Sequence, residues 1–230
     1  MIDCIIKLGG SLLYDFPKTK KLLEEIYRDH KGNIAITVGS GMLGEMYKEF
    51  ISHLDDEIPF NDSLRDFSNI QSMNASVLTA LNPNYVVCTS DEEVKDTLSK
   101  KQIPILDARG FMGVFMDDKY QKSDVRAAHL CKHFGCKNLI IITNVNGIYD
   151  QDPNKTESAR VIQKITPEEL KKMGRTSVDE GLAERIEDYD LTCYVLGVEQ
   201  LITAKGQMTE EVLKQGTEIK RKGKVYEKKI

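Results

Sequence analysis

The sequence predicts an α/β fold, a three-layer αβα sandwich around a mostly parallel central sheet. Three observations carry that expectation. Short apolar, β-branched runs alternate with segments of helical periodicity along most of the chain, the pattern of strand–helix–strand units. The run Leu139-Ile140-Ile141-Ile142 is too short for a globular helix and too apolar for an edge, as in parallel strands covered on both faces. Glycine-rich or polar segments follow directly after three of the strand candidates, where open α/β sheets bind ligands.

Composition narrows the partners. The chain has 230 residues, 40% hydrophobic and 30% charged, enough for one large core or two lobes sharing a sheet. A net charge of −4 argues against a nucleic-acid backbone or an anionic membrane as partner. Five scattered cysteines suit a reducing cytosol. Met1 leads straight into a strand without a signal-peptide pattern, and no apolar run approaches the roughly 20 residues of a membrane span. A cytoplasmic protein is expected.

Taken in order, residues 5–8 read as a strand, followed by Gly9-Gly10-Ser11. Paired glycines let backbone amides approach a ligand, and Lys7 can add its charge to the same phosphate; the alternative is a surface lysine beside a turn. A helix over 18–30 and a strand over 33–38 follow. Next comes Gly39-Ser40-Gly41-Met42-Leu43-Gly44, formally a dinucleotide fingerprint. The fingerprint requires another strand ending in an acidic residue about 20 positions on. Here a helix over 45–54 and the acidic turn Asp55-Asp56-Glu57 follow instead, which argues against a Rossmann site. A long helix covers 62–81, with Leu64, Phe67, Ile70, Asn74, Val77, Leu78 and Leu81 on one side. Strands at 85–88 and 103–106 flank a helix near 91–100, and 111–116 reads as a hairpin strand.

Ser123 is the expected N-cap of a helix with Asp124 in its first turn. Ala127, Leu130, Cys131 and Phe134 form its apolar stripe, and Gly135 ends it. The 139–142 strand then runs into Thr143-Asn144-Val145-Asn146-Gly147-Ile148-Tyr149 and Asp152-Pro153. A short strand is expected at 159–162. Thr166-Pro167-Glu168-Glu169 is a capping box with proline at the first helical position. Thr176-Ser177-Val178-Asp179 should open a helix to about Glu187, before strands at 191–196 and 216–219. The basic tail from Lys220 reads as a solvated strand and terminus.

Other chemistries lack an anchor. His129 and His133 are i, i+4 with Cys131 and Cys136 near, but there is no Glu of H-E-x-x-H, and Cys131 lies on the apolar stripe. The two histidines are expected to flank Arg126 on a solvated helix face, and no residue is assigned to a metal. Neither G-x-S-x-G nor G-x-x-x-x-G-K-[ST] occurs.

The K-L-G-G-S opening, the 39–44 loop, Asp124, the T-N-V-N-G-I-Y turn, Asp152-Pro153 and the closing Gly216-Thr217-Glu218-Ile219 together resemble the amino-acid kinase superfamily. The D-P-x-K…I-x-K-I-T-x-x-E-L run is similar to archaeal uridylate-kinase-like members. Thr176–Asp179 also resembles kinases of a phosphorylated aminomethylfuran alcohol. The likeness implies a single amino-acid-kinase-like domain over 1–230. Roughly 1–120 would form an acceptor-binding lobe and roughly 121–230 a nucleotide-binding lobe. It implies an ATP- and Mg2+-dependent phosphotransferase, with Lys7 and Asp124 as catalytic residues. Gly9, Gly10, Ser11, Gly39, Ser40 and Gly41 would meet phosphates. Thr143, Asn144 and Tyr149 would meet the ribose or base, with Asp152 and Lys155 near the triphosphate. Gly44, Arg65, Asp66 and Asn74 would contact a small phosphate- or carboxylate-bearing acceptor, UMP first. Isopentenyl phosphate, an amino-acid carboxylate, a furan alcohol phosphate, or an oxyanion-storage or sensor role are the alternatives. A homo-oligomer is expected on the same ground.

Three departures stand out. Ser40 replaces a glycine, Asn146 stands where relatives usually have Asp, and residues 117–122 replace a G-x-G loop.

Overall fold

A computed structural model describes residues 1–30, 32–54, 58–120, 122–174 and 176–222. The expected acidic turn at Asp55-Asp56-Glu57 and the tail beyond 222 lie outside these residues. Strand β1 (Cys4–Leu8) leads through a 3-10 turn (Gly10–Tyr14) into α1 (Phe16–Asp29). Then follow β2 (Ile34–Val38), α2 (Gly41–Ser52), α3 (Phe60–Leu81), β3 (Tyr85–Cys88), α4 (Asp91–Ser99) and β4 (Ile103–Leu106). The second half has α5 (Ser123–Phe134), β5 (Asn138–Thr143), β6 (Lys164–Ile165), α6 (Pro167–Lys172) and α7 (Leu182–Tyr189). It closes with β7 (Thr192–Gly197), α8 (Val198–Thr203), α9 (Glu210–Leu213) and β8 (Thr217–Lys220).

The eight strands form one sheet in the order β3-β4-β2-β1-β5-β7-β8-β6. All pairings are parallel except β7 with β8. Side chains alternate across it, as strand geometry requires. Ile5, Ala35, Leu139 and Ile141 join one core with Ala127, Leu130, Leu182 and Ile186 of α5 and α7. Ile6, Ile36, Ile140 and Ile142 join the other with Leu22, Ile26, Leu78 and Leu201 of α1, α3 and α8. The predicted α/β sandwich is thus observed, with helices on both faces. Lys7 shares the parity of Ile5, so alternation sends its side chain to the α5 face.

Several local expectations differ. Helix α2 begins at Gly41, not at 45, because Gly41 takes φ +57° and lets the glycine loop wind straight into the first turn. Residues 111–116 contain a 3-10 turn (Met112–Val114) rather than a strand. Phe111 and Phe115 are both buried, and a spacing of four fits a helical turn, not a pleat. The 159–162 strand reduces to one bridge between Tyr149 and Val161, with β6 lying just beyond. The 176–179 run precedes α7 instead of opening it. That helix starts only after Gly181 at φ +90°. The Thr166 capping box is formed in both directions, and Gly135 ends α5 at φ +67°.

Candidate active site

The ends of β1 and β2 bring the two glycine loops into direct backbone contact. A Cβ on Gly10 would lie 2.1 Å from Gly41 N, and one on Gly41 would lie 2.6 Å from Gly10 O. Only glycine at both positions permits this approach. Asn74 of α3 locks the second loop from beneath, donating from Nδ2 to Gly39 O at 2.8 Å and Ser40 O at 2.9 Å. The amides at the start of α2 are thereby presented at one place with Gly10, an arrangement suited to an anion.

Lys7, two residues before Gly9, is 7% exposed, and its Nζ meets Asp124 Oδ1 at 2.6 Å. No other donor among the described residues reaches that oxygen. Burial by itself would depress the ammonium pKa, but the carboxylates of Asp124 and Asp179 outweigh it and hold Lys7 above the ordinary lysine value.

Asp179 is the residue that the sequence reading missed. Its N–H donates to Asp124 Oδ2 at 2.9 Å, and its Oδ2 accepts from Asp124 N–H at 3.0 Å. The N-cap of α5 is Lys122, with no side-chain cap, and Ser123 is the first helical residue. Ser123 Oγ turns to Asp179 Oδ2 at 3.4 Å, so a carboxylate 55 positions on serves the helix terminus that Ser123 was expected to cap. Ser177 Oγ also donates to Gly147 O at 3.0 Å. The 176–179 run therefore ties the 143–149 turn to the Lys7–Asp124 pair. Its only signal in the sequence was the family resemblance of T-S-V-D.

Burial, and then the charge of Asp124, raise the Asp179 pKa. A raised folded value means that the ionised carboxylate lowers stability only above the ordinary carboxylate pKa of 3.8. Asp179→Asn is therefore expected to raise Tm at pH 7 and to lose that advantage as the pH falls through about 4. Melting curves from pH 3.5 to 8 test this. A Tm difference that ignores pH would contradict the repulsion.

Of the residues expected to meet the nucleotide, Thr143 lies beside the first loop. Gly9 N–H donates to Ile142 O at 2.8 Å, and a Cβ on Gly9 would stand 3.7 Å from Thr143 Cα. Asn144 is exposed and Tyr149 half-buried. Asp152 pairs with Lys155 at 3.5 Å on the surface.

The acceptor-side residues separate. A cavity of about 470 Å³ opens between the glycine loops, α2, α3 and α5. Ser11, Ser40, Lys48, Phe67, Arg126 and Asp179 are among its walls. Gly44 lies under the Ser40 side chain. Asp66 accepts a hydrogen bond from Tyr47 Oη. Arg65 pairs with Asp62 at 2.7 Å and lines a different depression, with Arg109.

The solvated face expected around Arg126 is corrected. Arg126 is 3% exposed. His129 is half-buried, its Nε2 2.6 Å from Asp118 Oδ2 and its Nδ1 3.1 Å from Tyr189 Oη. Among the described residues no group of three or more His, Cys, Asp and Glu could hold a metal. None of their helices is long and apolar enough to cross a membrane.

The chain is similar to known proteins in sequence and in fold. A uridylate kinase of Methanocaldococcus jannaschii is 31% identical over 200 residues, covering 79% of this chain and 84% of the relative. One from Thermococcus kodakarensis is 26% identical over 214 residues, 84% of this chain and 89% of the relative. Among solved structures, the uridylate kinase of Archaeoglobus fulgidus superposes with a TM-score of 0.69 at 20% identity, covering 95% of this chain and 100% of the other. The aspartate kinase of Synechocystis gives 0.71 at 14% identity, covering 95% of this chain and 40% of the other. Both show the fold. A family profile described as the amino acid kinase family matches residues 4–197, and the chain belongs to that family.

Proposed function

We propose that this protein is an ATP-dependent kinase that transfers the γ-phosphoryl group to a small anionic acceptor, with UMP the first candidate. The single observation that carries the reading is the buried Lys7–Asp124 pair beside the joined glycine loops, Ser123 Oγ standing 3.5 Å from a Cβ on Gly39. In-line phosphoryl transfer spreads negative charge over oxygens and depends on positioning and electrostatics. Lys7 supplies a fixed positive charge, and the amides of Gly10, Ser40 and Gly41 supply donors, those of Gly9 and Gly39 being taken by Ile142 O and Leu8 O. Asp124 fixes Lys7, and Asp179 fixes Asp124. A phosphate or carboxylate acceptor is already ionised at neutral pH, so no general base is required.

The donor set also suits the implied nucleotide. The two glycine loops are in direct backbone contact, since a Cβ on Gly10 would overlap Gly41, and this holds their amides together for the phosphates. Asp179 lines the cavity and has no ion pair among the described residues, so it gives one of the carboxylates that magnesium takes when phosphates supply the rest. Magnesium would neutralise charge on the triphosphate. We assign the nucleotide to the roughly 121–230 lobe, with Thr143, Asn144, Tyr149, Asp152 and Lys155 on its path. The acceptor is assigned to the roughly 1–120 lobe and the cavity. Lys48, Lys122 and Arg126 against Glu45 and Asp179 on the cavity walls favour an anion. The exposed stripe Met42, Met46 and Phe50 on α2 supports a homo-oligomer, which light scattering would reveal.

Calorimetry is expected to show MgATP binding at or below millimolar concentration. ADP release over a panel of UMP, isopentenyl phosphate, amino acids and a furan alcohol phosphate identifies the acceptor. UMP inert beside another active phosphate replaces the first candidate. No MgATP binding removes the kinase reading and leaves an oxyanion-storage or sensor role.

A further inference from the structure

The cavity contains a cation that the transfer chemistry above does not use. Arg126 lies two residues after Asp124 on α5, buried in the cavity wall. Its Nη1 donates to Gln71 Oε1 at 2.5 Å and to Ser68 Oγ at 3.3 Å, both on α3. The guanidinium carbon stands 5.0 Å from the centre of the Phe115 ring. Among the described residues Nε and Nη2 have no hydrogen-bond partner, no carboxylate forms an ion pair with this side chain, and both nitrogens are closed to solvent. Asp179 acts on it only through its field.

Nε and Nη2 form one edge of the guanidinium. It is the edge that makes two parallel N–H···O bonds to a carboxylate or a phosphate. Burial lowers the Arg126 pKa to about 10, so the group stays charged at neutral pH. An arginine is rarely buried without a paired anion, because its uncompensated charge works against folding. Here three contacts fix its orientation and leave the bidentate edge unused. Such a group holds two donors in reserve for an oxyanion that enters the cavity and parts the wall over them.

We propose that Arg126, held by Gln71, Ser68 and Phe115, is the receptor for the acceptor's phosphate or carboxylate group and restricts the cavity to anionic acceptors. The proposal rests on the cavity being the acceptor site of a kinase. An uncharged analogue of the true acceptor leaves the edge unpaired, so discrimination comes from a buried donor pair that only an oxyanion satisfies.

The test loads the full-length protein with magnesium and the non-hydrolysable ATP analogue AMP-PNP, which fills the glycine loops. Inorganic phosphate and acetate are then titrated separately by calorimetry. Arg126→Met is expected to weaken binding of the preferred anion at least tenfold. AMP-PNP affinity should stay within about twofold and Tm should be unchanged or raised, since a buried unpaired charge has been removed. Gln71→Glu provides a second route. It sets a carboxylate against Nη1, and should likewise suppress anion binding while raising Tm. The anion whose affinity depends on Arg126 tells a phosphate acceptor from a carboxylate one.

Failure of AMP-PNP to bind overturns the kinase reading and this proposal with it. Normal AMP-PNP binding with no anion affinity, or with anion affinity intact in Arg126→Met, overturns the proposal alone. A variant that loses Tm and AMP-PNP affinity together marks Arg126 as structural and also overturns it. If Arg126→Met does not fold, retained anion binding in Gln71→Glu decides against the proposal.

Discussion

Lys7→Ala is expected to lower kcat by about 10²-fold or more, roughly 2.7 kcal/mol of lost electrostatic stabilisation, with a smaller effect on MgATP affinity. The ammonium is buried and fixed at 2.6 Å from Asp124, so it needs no reorganisation during transfer. Asp124→Asn should do similar damage by releasing Lys7. Because each residue acts through the other, the double variant should lose little more than either single one. Stability follows the same pair. Removing one partner of a buried ion pair typically costs about 3–5 kcal/mol, and here two carboxylates would be left behind. Kinetics should therefore be read below the variant's melting temperature. The raised Lys7 pKa gives the sign of the pH effect. Its contribution is complete below the ordinary lysine value of 10.5 and is lost as the pH rises through the higher folded value. Wild type should thus lose an alkaline increment of stability that Lys7→Met does not show. Near-full turnover of Lys7→Ala on the true acceptor would remove the catalytic assignment.

Gly10→Ala is expected to be nearly as damaging, though it adds only a methyl group. The new Cβ would sit 2.1 Å from Gly41 N and 2.4 Å from Gly41 Cα. Both are backbone atoms, and Asn74 pins the segment just before them. The loops must separate by about 1 Å or more, and misplacement on that scale can cost about 10²-fold in rate. A stability loss of about 3 kcal/mol is expected from forced overpacking. Gly113→Ala is the control, since nothing lies within 4 Å of its Cβ position, and it should behave as wild type. Urea unfolding and steady-state kinetics on the two variants measure the contrast. Equal behaviour would mean that the loops do not need their close approach.

Strands were readable wherever apolar runs are buried on both faces. The 139–142 run stands in β5, at the centre of the sheet, and the 34–38 segment is buried throughout. The Lys7 and Asp124 motifs were legible because local glycine and helix-start signals mark them. Asp179 was not, since its partner lies 55 positions away and its own neighbourhood resembles an ordinary helix start. Arg126 was hidden for a different reason. Its polarity implied solvent, while burial comes from α3 and Phe115, which sequence periodicity cannot place beside it. The 111–116 segment was read as a strand, whereas its two buried aromatics, Phe111 and Phe115, lie four apart, as a helical turn places them.

The position of β1 sets an order of assembly during synthesis. One side of β1 pairs with β2, about 30 residues on, but its other side waits for β5. At about 5–20 residues per second, that gap is on the order of ten seconds. Until then the Ile5-Ile6 edge is an apolar strand margin without a neighbour, the kind that recruits other chains. Lys7 likewise has no counter-ion before Asp124 emerges, and the first half of the chain carries a desolvation cost with no compensation. Chains stopped before Asn138 should therefore sediment as aggregates on release, whereas chains carried past Gly197 should stay in solution.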